Sequence, residues 1–277
     1  MIVNRLGKHL GAEISDIDLS QTLSDAAFAE VSRAFFENQV VVFRDQRLKP
    51  EAQIAFTRRF GALEQHVRVE SRLPGYPEIL VVSNVLNEAG KPIGAQDAGR
   101  FWHSDLSYKR EPSLLSALYA IEVPEADGRV LGDTAFASTL AAYDGLPAET
   151  QQRLKGLKNV HSYEYYRAKN RAAQAQERAN GVCRVAEPEL TAKALSTVPE
   201  VETPILRPHP VTDERGFSST RPTPRASRTA RGRRRRAARH AVSAHRAAGI
   251  HLSPSLACRR PVDVGQLRRP AQGHVRL

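Results

Sequence analysis

Two closely spaced side chains, His103 and Asp105 in Phe101-Trp102-His103-Ser104-Asp105, could hold a metal ion. In a strand, residues i and i+2 project to one side, so an imidazole and a carboxylate in this pattern can converge on one cation. With a distant histidine they would form the two-histidine, one-carboxylate triad of non-haem iron(II) oxygenases, which keeps positions open for an oxo acid and dioxygen. Read bare, the tripeptide is common, and a polar pair on the surface is its more frequent meaning.

The elements that must position this pair are legible in part. Residues 1–20 alternate loosely and read as short strands near a turn. Ser24 caps a helix carrying Ala27, Val31 and Phe35 at i, i+4 and i+8. Gln39 to Arg44 and Glu78 to Ser83 are short, β-branched apolar runs that predict buried strands. Pro50 to Phe60 returns to helical spacing and ends at Gly61. Residues 84–100, rich in Gly, Asn and Asp, predict a loop, and Ser113 to Val123 alternates as a strand. Thr139 to Leu157 is helical with a break at Pro147, and Glu164 to Ala179 reads as a polar helix or insertion. Strands and helices mixed without a regular βαβ repeat predict an α+β architecture on a β core.

Composition bounds the rest. At 277 residues the chain can bury one medium-sized core. It has no apolar run of membrane-spanning length, and its start lacks the charged-then-apolar order of a signal peptide. Cys183 and Cys258 are too few for a disulfide framework or a zinc knuckle. A soluble cytoplasmic protein is the default expectation, and a homo-oligomer is compatible with it. The net charge of +11 is unevenly placed: residues 216–277 carry +14, and residues 1–215 carry −3. The basic run Arg231 to Arg236 could neutralise phosphates without sequence preference, which is the alternative reading of nucleic-acid binding. No aromatic residues interleave with it to stack bases, so nucleic acid is not the expected partner.

The segments GAEISDIDL (11–19), VVVFRDQ (40–46), IAFTRRFGALEQH (54–66), FWHSDLSY (101–108), GDTAFAS (132–138) and AAYDGLP (141–147) together resemble the taurine dioxygenase and dichlorophenoxyacetate dioxygenase family in order and spacing. The resemblance covers residues 7–215. It implies a double-stranded β-helix (jelly-roll) core with flanking helices, with Fe(II) as metal and 2-oxoglutarate as cosubstrate. By the same resemblance His103 and Asp105 ligate the iron, and Thr134 hydrogen-bonds the 2-oxoglutarate carboxylate, although a plain turn threonine is the other reading. His66 matches a substrate-facing position, beside the simpler reading of a surface histidine after a helix. The implied reaction uses dioxygen and 2-oxoglutarate to hydroxylate a small anionic sulfonate or aryloxyalkanoate, releasing succinate and carbon dioxide. Two departures stand out. Gly99 occupies a family asparagine position, and Arg129-Val-Leu131 is an insertion before the Gly-Asp-Thr segment.

The second family histidine and the oxoglutarate-binding arginine belong to the last quarter of the chain, where their landmarks are missing. After Gly216, Arg, Ala, Pro and Ser dominate, a composition that predicts a disordered tail at 216–277 following a truncated dioxygenase domain at 1–215. His240, His245, His251 and His274 lie in the wrong context for a ligand. Back-translation offers a reason. With codons built from the last two bases of one codon and the first of the next, Gly249 to Leu277 permits EFIYHHRWRAGDLLMWDNCAVQHKATFD. The Asp263/Val264 junction allows only Met or Thr, Gln266/Leu267 only Asn or Ser, and Gln272/Gly273 only Lys or Arg. Each fits the family pattern, and a histidine falls five positions after the asparagine. A frameshifted C-terminal quarter, leaving the literal chain with an incomplete core and little activity, is the economical reading.

Overall fold

The computed structural model describes residues 1–96, 98, 102–181 and 189–218, together with the backbone of 273–276. Among these the order is β1 (Ile2–Arg5), β2 (Ala12–Ser15), α1 (Asp25–Asn38), β3 (Val41–Gln46), α2 (Pro50–Arg58), β4 (Arg72–Leu73), β5 (Tyr76–Leu80) and β6 (Leu118–Ala120). There follow β7 (Glu125–Ala126), β8 (Arg129–Val130), α3 (Thr139–Asp144), α4 (Ala148–Leu154), β9 (Lys158–His161) and α5 (Tyr163–Ala179). The described part ends with α6 (Ala192–Ser196), β10 (Val201–Pro204), β11 (Leu206–Pro208), β12 (Arg215–Phe217) and β13 (Gly273–Arg276). The α+β expectation holds at this level: strands and helices are mixed around one principal sheet.

That sheet runs β1-β2-β3-β13-β6, with β2 and β3 parallel and the other neighbours antiparallel. Parallel pairing needs a crossover, and α1 supplies it. The Ser24 hydroxyl accepts the Ala27 N–H at 3.2 Å, which starts α1 where its sequence predicts. Gln39, left-handed at φ 63°, ends it by donating its N–H to the Phe35 carbonyl. Val31, Ala34 and Phe35 on the inner face of α1 meet Ile14, Val41 and Phe43 of the sheet and Phe56 of α2. Phe43 is fully buried and packs edge-on against Phe56 at 5.9 Å. Gln46 closes one end of this core: its Oε1 accepts the Leu19 N–H at 2.8 Å, and its Nε2 donates to the carbonyls of Ile17 and Arg44.

The remaining strands pair in twos. Arg129 and Val130, in the segment expected to be an insertion, form β8 of a hairpin with β7, turning through Asp127 (φ 51°) and Gly128 (φ 71°), the Asp-Gly pair that such a two-residue turn favours. Pro147 separates α3 from α4, as predicted from its missing N–H. The predicted strand over Ser113–Val123 is only Leu118–Ala120, because β13 bonds those three residues and no others. Strand β12 crosses the expected boundary after residue 215. Residues 219–272, with the Arg231 to Arg236 run, Cys258 and His240, His245 and His251, lie outside the described residues, as do Gly99, Phe101 and Cys183. Among the described residues no helix is long and apolar enough to cross a membrane.

Candidate functional site

His103 and Asp105 do come together, although not by the strand alternation expected for them. Residues 102–104 have no regular structure and Asp105 opens a turn whose next residue, Leu106, has φ 50°. The correction has a physical reason: no neighbouring strand pairs with this segment, so the turn aims the side chains instead. Its result is a His103 Nε2 to Asp105 Oδ1 distance of 3.1 Å. On the other carboxylate oxygen, Ser116 Oγ donates to Asp105 Oδ2 at 2.5 Å. The bond to His103 first, and that from Ser116 second, hold the Asp105 carboxyl below the usual carboxylate range against the opposing effect of burial. Asp105 is therefore ionised at neutral pH.

The pair suits a divalent cation. Two adjacent ligands on an octahedral ion with bonds of about 2.1 Å lie about 3.0 Å apart, close to the separation found here. Among the described residues no group of three His, Cys, Asp or Glu side chains converges on one point. The chain therefore brings two fitting donors together, and the third is not among the residues described.

His66 sits in the loop after α2. Its Nδ1 accepts the Arg68 backbone N–H at 3.1 Å, which places the ring proton on Nε2. Burial, reinforced by the charge of Arg68, pushes its pKa from 6.5 down to about 4, although the Asp105 carboxylate pulls the other way. At neutral pH His66 is an uncharged Nε2–H donor within electrostatic reach of Asp105. Arg72 clamps this loop, giving Nε and Nη2 to the His66 carbonyl at 2.9 and 2.7 Å and Nη1 to Gln65 Oε1 at 3.3 Å. Thr134 is elsewhere: it is exposed in the irregular segment 131–138, and no hydrogen bond among the described residues joins it to the other three.

A cleft of about 410 Å³ opens beside His66. Its walls are the His66 loop, the turn carrying Leu106, Tyr108 and Lys109, and α6 with its flanks Thr191, Thr197 and Val198. The size is that of a small-molecule site. The rings of Tyr108 and Tyr163, tilted by 41° with centroids 4.5 Å apart, fix the turn against the start of α5, and burial raises the Tyr108 hydroxyl pKa well above its ordinary value. Sequence reasoning missed Ser116, Arg72 and α6. Ser116 carried a weak signal, since alternation through Leu115, Ala117 and Tyr119 puts it on the opposite face; nothing local pointed to its partner.

The family model described as "Taurine catabolism dioxygenase TauD, TfdA family" matches residues 3–247, running past the boundary expected at 215. The chain is 34% identical over 170 residues to the alpha-ketoglutarate-dependent 2,4-dichlorophenoxyacetate dioxygenase of Cupriavidus pinatubonensis, covering 58% of each. It is 30% identical over 207 residues to the (S)-phenoxypropionate/alpha-ketoglutarate-dioxygenase of Sphingobium herbicidovorans, covering 75% of this chain and 66% of that one. The first three curated relatives are spanned over only 58%, 51% and 52% of their own lengths. In fold, the chain resembles AAD-2, solved with Mn(II) and N-oxalylglycine, at a TM-score of 0.59 and 20% identity, covering 100% of this chain and 86% of that one.

Proposed function

Because the chain belongs to the TauD/TfdA family of dioxygenases, we propose that its activity is iron(II)- and 2-oxoglutarate-dependent hydroxylation of a small anionic organic compound, an aryloxyalkanoate or sulfonate. The observation that carries this reading is the His103–Asp105 pair at a cis-ligand separation, within the FWHSD segment that the resemblance marks. A double-stranded β-helix core belongs to the same proposal, as does a dioxygenase domain over 1–215.

His103 Nε2 and Asp105 Oδ1 would hold the iron, which supplies oxygen activation together with 2-oxoglutarate when bound. The chain's own residues do the positioning. Ser116 occupies Asp105 Oδ2 and so leaves Oδ1 as a single-oxygen donor. Thr134 is proposed to hydrogen-bond the 2-oxoglutarate carboxylate. Neutral His66, its tautomer set by the Arg68 N–H, presents an Nε2–H donor to substrate without adding charge beside Asp105. The clamp from Arg72 holds that donor still, which is the entropic part of catalysis.

We propose that the third histidine lies in the reading frame that Gly249 to Leu277 permits but does not display, at the Ala271/Gln272 junction. Two proteins test both ideas: the 277-residue chain and its frame-restored counterpart, assayed for Fe(II)-dependent succinate formation with 2,4-dichlorophenoxyacetate and taurine. The frame-restored protein is expected to turn over 2-oxoglutarate and the literal chain to show little. Equal turnover would remove the frameshift reading. Inactivity of both on a wide panel would remove the dioxygenase reading.

A further inference from the structure

The cleft beside His66 has a charge that the metal pair does not explain. Arg72, Lys109 and Lys193 line it, and among the described residues no Asp or Glu does. Lys109 is compensated, since its Nζ lies 2.5 Å from Glu64 Oε2. Arg72 is not, because all its hydrogen bonds go to neutral oxygens of His66 and Gln65. Lys193, on α6, has no carboxylate partner among the described residues. His66 cannot supply positive charge at neutral pH, with a pKa near 4. The opposite character is present too: Val67, Val69, Leu106, Ala194 and Val198 give the same cleft apolar walls.

We propose that this cleft takes the anionic head of the substrate between Lys193 on α6 and Arg72 on β4, and that Lys193 sets the preference for a carboxylate or sulfonate over a neutral group. The proposal rests on the dioxygenase reading only for the word substrate; the cleft's preference for anions stands on its own lining. Arg72 is already occupied in holding the His66 loop, so it contributes field and stiffness. Lys193 is exposed at the rim of α6, where its ammonium can swing onto a ligand and where salt screens it. The apolar walls accept the organic body, as in most small-ligand sites.

The test is calorimetric titration of the full 277-residue protein, without metal, with 2,4-dichlorophenoxyacetate and with its neutral analogue 2,4-dichlorophenoxyethanol. The carboxylate is expected to bind about tenfold more tightly than the alcohol at low salt, and less so at high salt. Lys193→Ala should weaken carboxylate binding about fivefold and leave the alcohol unchanged, because an exposed cation supplies the lower end of a charge-assisted contact. Lys193→Arg should retain the preference. Equal affinity for the two compounds, absent carboxylate binding, or an undiminished preference in Lys193→Ala overturns the proposal. Mn(II) titration of the same variants separates it from the metal reading, since Lys193→Ala should bind Mn(II) like the parent.

Discussion

Replacing Ser116 by alanine should weaken metal binding at His103 and Asp105 although Ser116 touches no metal. Its hydroxyl lies 2.5 Å from Asp105 Oδ2, and the other oxygen lies 3.1 Å from His103 Nε2. Without the hydroxyl the carboxylate can rotate about its last torsion, and its two oxygens become interchangeable. A hydrogen bond to a charged group contributes about 1.5–3 kcal/mol. Ser116 is exposed, so water recovers part of this loss. The lower end, about 1.5 kcal/mol, corresponds to a rise in Kd of about tenfold, within the usual range for residues that orient a metal ligand. Mn(II) titration followed by electron paramagnetic resonance reads the free ion directly, and Trp102, the single tryptophan, stands next to His103 for a parallel fluorescence signal. Ser116→Thr, which keeps the hydroxyl, should restore parental affinity, and Asp105→Ala should abolish binding. A Ser116→Ala protein with the parental Kd would refute the assigned role.

Acid should destabilise the fold through His66. Its pKa is depressed from 6.5 to about 4, so between those values the unfolded chain binds a proton that the folded chain refuses. The associated stability is fully present above pH 6.5 and is lost as pH falls toward 4, by up to about 3 kcal/mol. Urea midpoints at pH 7.5 and 4.5 should therefore fall further for the parent than for His66→Asn, and parallel falls would count against the burial argument. In the core, Phe43→Ala should cost about 3–5 kcal/mol by chemical denaturation, since Phe43 is 0% exposed and packs on Phe56. Phe43→Leu should recover most of that, and a loss below about 1 kcal/mol for the alanine variant would mean that this cluster is not the centre of the core.

What the sequence made legible was local. The start of α1 at Ser24 and the break at Pro147 follow from a hydroxyl beside backbone donors and from a ring that removes one. The pairing of His103 with Asp105 was also readable from their spacing, but its means was not. A turn at positive φ replaced the expected strand, because strand formation depends on a partner that lies elsewhere in the chain. The partners of Ser116, Arg72 and Lys193 were illegible for the same reason. Each of these three residues acquires meaning only across tertiary contacts, with Asp105, with the His66 carbonyl, and with the far wall of a cleft.

The place of β13 in the principal sheet has a consequence in time. Strands β3 and β6 both bond to residues 273–276, so the middle of the sheet joins segments made early to one made late. At a synthesis rate of about 10 residues per second, β3 waits about 20 s on the ribosome before that partner exists. β3 carries a free edge for this whole interval and β6 for about its last 15 s, the condition under which chains pair with the wrong neighbour. Until residues 273–276 exist the sheet therefore stays open at its middle, and its closure should be a slow event in the folding of the chain as written.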